Sequence, residues 1–185
     1  MMTTIPERTE AADYYFTYID KVPSGDICAT LEAQLPQTIR ELEAVSEDRS
    51  LHRYAPDKWS MRESLAHVND TERLFIFRAF WFARGFDSPL PSFDQNIAVT
   101  KAGSDARSWR SHIEEFKAVR QGTLSFFQNL PSDAWTRRGI ASDNPFTVRA
   151  LAYLAAGHVA HHMSIVRDKY LTSLGTAHVA RRTTH

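Results

Sequence analysis

Residues 147–171, TVRALAYLAAGHVAHHMSIVRDKYL, predict one long helix with two histidines on its apolar face. Thr147 is a favourable N-cap residue, because its hydroxyl can accept a hydrogen bond from a free amide of the first turn. His158 and His162 are four residues apart, so their imidazoles lie one turn apart on one side of the helix. That side also carries the apolar residues Leu151, Leu154, Ala155, Ile165 and Val166. It is therefore a face that a helical bundle buries.

Three other long segments carry apolar residues at helical spacing. They run from about Asp26 to Val45, from Met61 to about Arg84, and from Ser104 or Asp105 to about Leu130. Four helices of roughly 20 to 25 residues, joined by loops, predict an all-α four-helix bundle. The second connection, residues 86–103, is unusually long and rich in proline and turn formers. We expect it to be either a crossover packed on the bundle or a functional loop.

Local signals predict where these helices begin and end. Ser60 and Glu63 form the Ser-x-x-Glu pattern of a capping box ahead of the second helix. Gly85 then ends that helix. Pro36 lies inside the first helix and should kink or split it. Ahead of the first helix, Ala11 to Ile19 are expected to form a short aromatic helix.

Length and composition suit one domain over residues 1–185, with a core at about 14–171 and a polar tail over 172–185. Lysine plus arginine equals aspartate plus glutamate, at 22 each, so no basic excess suggests a nucleic-acid partner. A polar N-terminus and short apolar runs favour a cytoplasmic protein without a membrane partner. Cys28 is the only cysteine, which excludes an intramolecular disulfide and suggests a small packed side chain.

A metal site is the functional interpretation of the histidine pair. Two buried neutral imidazoles need partners, and one divalent cation satisfies a lone pair of each. His67 lies in another strongly helical run and would add a third imidazole if the two helices pack together. The small residues Ala155, Ala156 and Gly157 would allow that close approach. Three imidazoles with an open coordination position are typical of a catalytic site, although the spacing alone also fits ordinary histidines.

The remaining histidines have less context. His161 is expected to flank the site, since the four-residue step from His158 to His162 aligns better with the apolar stripe. The other four are expected to be ordinary histidines, and they are His52, His112, His178 and His185.

Charged residues near His67 are further candidates. Glu63 and Asp70 lie four residues before and three residues after His67, so either could orient an imidazole or act on a bound water. For Glu63 the capping role is an equal alternative, and Asp70 may as well be solvated or paired with Arg73. Arg78 returns to the same face eleven residues after His67 and could bind an anionic substrate group, with an ordinary salt bridge as the favoured alternative.

Taken in order, these motifs resemble the DinB-like superfamily, most closely its YfiT-like metalloenzymes. The resemblance covers about residues 14–171. It rests on Tyr15 to Pro23, Trp59-Ser60 with Glu63, His67, Asp70-Thr71-Glu72-Arg73, Arg84-Gly85, Leu90 to Gln95, and Gly157-His158-x-x-His161-His162 with Arg167 and Tyr170. It implies a four-helix bundle with a long crossover, and a divalent metal held by His67, His158 and His162.

The resemblance also implies a metal-dependent enzyme acting on a small molecule. Some members of such families are thiol S-transferases that use bacillithiol, and another is a mycothiol-dependent isomerase. We therefore expect a thiol S-transferase with zinc, nickel or a similar ion and an external low-molecular-weight thiol. A metal-dependent hydrolase and a non-catalytic metal- or ligand-binding bundle are the alternatives. The many aromatic residues are compatible with a homodimer.

Overall fold

A computed structural model describes residues 4–173, and within them four long helices pack as a bundle. In chain order the α-helices are α1 (Phe16–Ile19), α2 (Ile27–Glu43), α3 (Met61–Ala83), α4 (Gln95–Ala102), α5 (Trp109–Gln128) and α6 (Val148–Ile165). Helix α3 packs between α5 and α6, and α2 packs between the same two helices from the opposite side. The predicted all-α four-helix bundle with a long crossover is confirmed.

Helix α6 is the most deeply placed element of the bundle. Residues 150–159 are all buried, because α2 and α3 cover it on two sides and α1 packs along a third. Beyond Ile165 the chain continues as a π-helix over Val166–Leu171. The predicted helix from Thr147 to about Leu171 is confirmed, including its N-cap, since the Thr147 hydroxyl accepts from the Ala150 amide.

The capping box ahead of α3 is confirmed. The Ser60 hydroxyl accepts from the Glu63 amide at 3.0 Å, and the Glu63 carboxylate accepts from the Ser60 amide at 2.9 Å. Each side chain therefore satisfies an amide that the first turn leaves without a helical partner. The other end is also as predicted, because α3 stops just before Gly85, which has a φ of 80°.

Three helix boundaries differ from the prediction. Helix α5 begins at Trp109, later than predicted, because the Ser108 hydroxyl caps it and Ser104–Ala106 form a separate 3-10 turn. Pro36 was expected to kink or split the first helix, and of these two alternatives the split is wrong, since α2 runs through it. Pro36 and Glu32 are both exposed, so water can donate a hydrogen bond to the Glu32 carbonyl, which proline leaves without an amide donor.

Within the predicted 11–19 segment, only Phe16–Ile19 is α-helical, after 3-10 turns at Arg8–Glu10 and Asp13–Tyr15.

A small hairpin was missed by the sequence analysis. Strands β1 (Arg138–Ala141) and β2 (Asn144–Thr147) pair antiparallel, and both turn residues, Ser142 and Asp143, have positive φ. The long connection packs against this hairpin, because the Leu90 amide donates to the Ile140 carbonyl and Leu90 accepts from the Ser142 amide. The same connection contains α4, so it is a structured crossover packed on the bundle.

A buried ion pair joins the bundle helices at mid-height. Arg120 of α5 donates to both carboxylate oxygens of Glu72 of α3, at 2.7 and 2.8 Å. The same guanidinium also donates to Gln34 and to the Leu31 carbonyl of α2. Both charged side chains are almost completely buried, so each depends on the other to offset its lost hydration.

Gly157 marks a close backbone approach. A Cβ atom at Gly157 would lie 2.2 Å from the Tyr18 carbonyl oxygen. The neighbour that uses this space is therefore the short helix α1, not the long helix that carries His67. Tyr18 consequently lies over the histidine-bearing face of α6, with its ring centroid 5.5 Å from that of His158.

No helix within residues 4–173 is both long enough and apolar enough to cross a bilayer. His178, His185 and most of the predicted tail lie outside the described residues.

We expect Gly157→Ala to lower the free energy of unfolding by about 1–3 kcal/mol, because the new methyl group must displace the α1 backbone. The matched control is Gly122→Ala on α5, where a Cβ meets nothing within 4 Å. That change should raise stability by up to ~1 kcal/mol through helix propensity. Urea unfolding of both variants measures the difference. Equal stabilities would contradict the close approach.

We expect Glu72→Gln to destabilise the protein by about 3–5 kcal/mol, because it leaves the Arg120 charge buried without a carboxylate. Asp20→Asn is the control, since its partner Arg8 is largely exposed and such pairs contribute only about 0–1 kcal/mol. Denaturant unfolding compares the two variants. A Glu72→Gln effect as small as the control would refute the role given to this pair.

Candidate metal centre

The packing of α3 against α6 brings three histidines together. His67 comes from α3, and His158 and His162 come from α6. The Nε2 atoms of His67 and His158 are 3.1 Å apart. One nitrogen from each of the three rings can be chosen so that all lie within 4.8 Å of one another. The geometry thus allows one cation to contact three imidazoles.

The distance between the first two nitrogens fits a divalent cation. With metal–nitrogen bonds of about 2.05 Å, two neighbouring ligands are roughly 2.9 Å apart in octahedral geometry and roughly 3.4 Å apart in tetrahedral geometry. The 3.1 Å between His67 and His158 lies within this range. All-nitrogen donors suit zinc, nickel and similar ions and do not select among them.

Two hydroxyl groups hold the outer nitrogens of the rings. Ser64 Oγ is 3.3 Å from Nδ1 of His162, and Thr71 Oγ1 is 3.4 Å from Nδ1 of His67. When each Nδ1–H donates to its hydroxyl oxygen, the lone pair of that ring is on Nε2. Ser64 and Thr71 lie on α3, three residues before and four after His67, so one helix face supplies both hydroxyls and a candidate ligand.

Burial keeps these imidazoles neutral. Desolvation lowers the pKa of His67 to about 4. Desolvation, with smaller repulsion from His67 and His161, lowers the pKa of His162 to about 3. The pKa of His158 is also well below its usual range, mainly through burial. At neutral pH each of the three rings is therefore neutral, with one N–H and one free lone pair, which is the form that binds a metal.

Aromatic side chains surround the three rings. The Trp59 ring centroid is 4.9 Å from that of His67, and the Phe75 centroid is 5.9 Å from that of His158. His161 is half-buried and packs on Tyr18 at 5.2 Å, outside the group of converging nitrogens. These contacts restrict both the rotation of the imidazoles and the entry of water.

The structure does not bring Glu63 or Asp70 to the histidines. The Glu63 carboxylate caps α3 and pairs with Arg53 at 2.5 Å. Asp70 pairs with Arg73 at 3.2 Å, and burial raises its pKa. Among the hydrogen bonds within residues 4–173, neither carboxylate contacts an imidazole.

Arg78 was expected to form an ordinary salt bridge, but its hydrogen-bond partners are neutral. Its Nη2 donates to Ser142 Oγ at 2.7 Å and to the Pro91 carbonyl at 3.1 Å. No ion pair within the described part of the chain includes it, so the expected ordinary salt bridge is wrong. It lines the same cavity as His67 and His158.

Two cavities reach the three histidines. The larger, about 500 Å³, reaches from His67 and His158 to Arg78. The smaller, about 290 Å³, is lined by His162, Trp59 and other residues of the opposite side. Asn96 of α4 lines both cavities. The sequence analysis missed Asn96, because nothing in the connecting segment showed that a short helix would fold over the site.

Other candidates from the sequence lie elsewhere. His52 pairs with Ser173 at 2.8 Å and His112 with the Ser104 carbonyl at 2.9 Å, as ordinary histidines do. Cys28 is half-buried, and desolvation, with a contribution from the nearby Asp26 charge, raises its pKa to about 11. Its thiol is therefore protonated at neutral pH and a poor nucleophile.

Comparisons with known proteins place this chain in a family. Residues 30–166 match the model of the DinB superfamily. The solved structure of YfiT from Bacillus subtilis, described as a probable metal-dependent hydrolase with an unusual four-helix bundle topology, is similar with a TM-score of 0.64. The two chains are 15% identical, and the match covers 88% of this chain and 91% of that one. No curated protein matches the sequence. Since the family model spans most of the chain and all three converging histidines, this protein belongs to the DinB superfamily.

Proposed function

We propose that this protein is a metal-dependent enzyme whose divalent cation is held by His67, His158 and His162. The observation that carries the proposal is the convergence of three buried, neutral imidazoles from two helices. A cation held there would supply Lewis-acid chemistry, lowering the pKa of a bound thiol, or of a bound water to about 7, so that the proton passes to solvent.

We favour a thiol S-transferase. Two cavities reach the histidines from different sides, which gives separate space to a thiol and an electrophile. No carboxylate that could serve as a general base for water contacts an imidazole within residues 4–173, and a metal-activated thiol needs no such base. Cys28 does not supply the thiol, since its pKa is raised and it lines neither cavity. The thiol therefore comes from outside as a small cosubstrate.

The chain's own residues position the reactants. Ser64 and Thr71 hydrogen-bond the Nδ1 atoms of two imidazoles, which leaves their Nε2 atoms available to a cation when Nδ1 is the donor. Tyr18 and Phe75 form apolar walls of the larger cavity, which limit the water that reaches the reacting sulfur. Asn96 lines both cavities and can donate a hydrogen bond to an oxygen of a bound electrophile.

A metal-dependent hydrolase is the second candidate. It is favoured by the description of YfiT, whose fold this chain shares. In that case the larger cavity would hold the ester or amide, and water would enter from the smaller one. Each cavity has one carboxylate in its lining. These are Asp57 in the smaller cavity and Asp94 in the larger, where Asp94 accepts from the amides of Asn96 and Ile97 as the cap of α4.

The metal site is tested by elemental analysis of protein purified without an affinity tag. We expect about one divalent ion per chain. His158→Ala should abolish stoichiometric binding, because it removes one of three ligands. His52→Ala is the matched control, since that imidazole hydrogen-bonds Ser173 and lies outside the cluster. Failure of the wild-type protein to bind zinc or nickel on titration would remove the basis of both enzyme proposals.

The reaction is tested with a thiol and chlorodinitrobenzene, followed by absorbance of the thioether. We expect turnover that needs both metal and thiol, and a loss of at least about a hundredfold in His67→Ala, because Lewis-acid activation contributes several kcal/mol. His52→Ala should retain activity. Hydrolysis of p-nitrophenyl acetate without thiol would instead support the hydrolase. A metal-loaded protein inactive in both assays would leave the non-catalytic alternative.

A further inference from the structure

Arg78 is a buried cation with spare hydrogen-bonding capacity. Its side chain is only 3% exposed. Nη2 donates to Ser142 and to the Pro91 carbonyl, while Nε has no partner among the described residues. Tyr15 lines the same cavity as this guanidinium. All of these partners are neutral, so the positive charge is desolvated without an anion to balance it.

Two other buried arginines each have a carboxylate partner, unlike Arg78. Arg62 pairs with Glu47 at 2.6 Å, and Arg120 pairs with Glu72 at 2.7 Å. Burying an uncompensated charge costs several kcal/mol, so buried cations in proteins normally have a counter-charge. Arg78 has none among the ion pairs of residues 4–173. An anion supplied by a ligand would complete the arrangement.

The position of Arg78 determines where that anion would lie. Arg78 lines the larger cavity together with His67, and the two residues are eleven positions apart on α3. Their Cα atoms are therefore about 16 Å apart along the helix. The Arg78 side chain shortens this separation, because helical side chains lean toward the N-terminus. A ligand that contacts both residues therefore carries its anionic group at the other end from the atoms that react.

The walls of the cavity between these ends are compatible with such a ligand. Tyr15, Tyr18, Phe75 and Phe93 provide aromatic surface. The one carboxylate in the lining, Asp94, is exposed and already accepts two amide hydrogen bonds. The negative charge of Asp94 lies at the surface, while the positive charge of Arg78 is buried.

We infer that Arg78, with the Tyr15 and Ser142 hydroxyls beside it, binds a carboxylate or similar oxyanion of a substrate in the larger cavity. This inference rests on the proposed function for the reaction at the histidines, but the anion site itself does not require turnover. Arg78 is a specificity-determining residue in this scheme, because charge-assisted hydrogen bonds from its guanidinium distinguish an anion from a neutral isostere.

A binding experiment tests the anion site without catalysis. The full-length, metal-loaded protein is titrated calorimetrically with 4-phenylbutanoate and with 4-phenylbutanamide, which differ in charge but little in shape. We expect the carboxylate to bind about tenfold more tightly or better, as charge-assisted hydrogen bonds do. Arg78→Gln should reduce this preference to about one. Equal affinity of the wild-type protein for both probes overturns the inference.

Two further variants control for folding and for general charge. Arg73→Gln removes another arginine of α3, one whose charge is already paired with Glu115 and Asp70. This variant should therefore retain the preference for the carboxylate probe. Arg78→Lys keeps the positive charge and should retain part of the preference for the carboxylate probe. This result separates recognition of charge from disruption of the fold. If Arg73→Gln loses the preference as fully as Arg78→Gln, the effect is general and the assignment to Arg78 is wrong.

The anionic group can belong to the electrophile or to the thiol, and turnover distinguishes these sources. Chlorodinitrobenzene is compared with 4-chloro-3,5-dinitrobenzoate, and 2-mercaptoethanol with mercaptosuccinate. Arg78→Gln should lower kcat/KM by about tenfold only for the reactant whose carboxylate Arg78 binds. A uniform loss for neutral and anionic reactants contradicts the inference. Absence of all turnover, with the carboxylate preference in binding intact, defeats the transferase proposal and leaves the anion site standing.

Discussion

The contact between α3 and α6 determines the relative positions of the three histidines and of the two hydroxyl groups beside them. It places His67 opposite His158 and aligns Ser64 and Thr71 with the outer nitrogens of two rings. Because both helices are long and their facing sides are buried, a small shift of one would move all of these groups together. The geometry of the site is therefore a property of the bundle core rather than of any loop.

Two features of the core hold this contact in register. The buried pair of Glu72 and Arg120 links α3 to α5, and further hydrogen bonds of Arg120 reach α2. Its directional bonds specify one arrangement of the helices where apolar packing alone would accept several. On the other side, Gly157 lets the Tyr18 backbone lie directly against α6. Tyr18 in turn covers His158 and His161.

Much of this architecture could be predicted from local sequence. The capping box at Ser60 and the four-residue step from His158 to His162 are short-range patterns whose consequences follow from helix geometry alone. The hairpin could not be predicted in the same way. Its strands have four residues each and contain Gly139 and Pro145, residues that normally weaken a strand, so its pairing depends on tertiary packing.

The partners of charged residues were the least predictable part of the site. Arg78 has 22 acidic residues in the chain as candidate partners, and spacing cannot show that it pairs with none of them. The role of Gly157 was also misassigned, because the segment that packs on it lies more than a hundred positions earlier in the sequence. Both facts depend on contacts between residues far apart in the chain, which local patterns do not encode.

The distribution of carboxylates gives the site its chemical character. Glu63, Asp70 and Glu72, the acidic residues nearest to His67 in sequence, each neutralise an arginine. The outer nitrogens of His67 and His162 consequently face hydroxyl groups rather than carboxylates. A carboxylate partner would make an imidazole a stronger donor and reduce the positive charge at its metal. With hydroxyl partners, a divalent cation bound there would keep more of its charge and would stabilise an anionic ligand, whether a thiolate or a hydroxide, more strongly than a neutral one. Because these carboxylates pair with other arginines, the Arg78 charge has no acidic partner within residues 4–173. Under the proposals above, the Arg78 end and the histidine end of the larger cavity would both favour negatively charged groups.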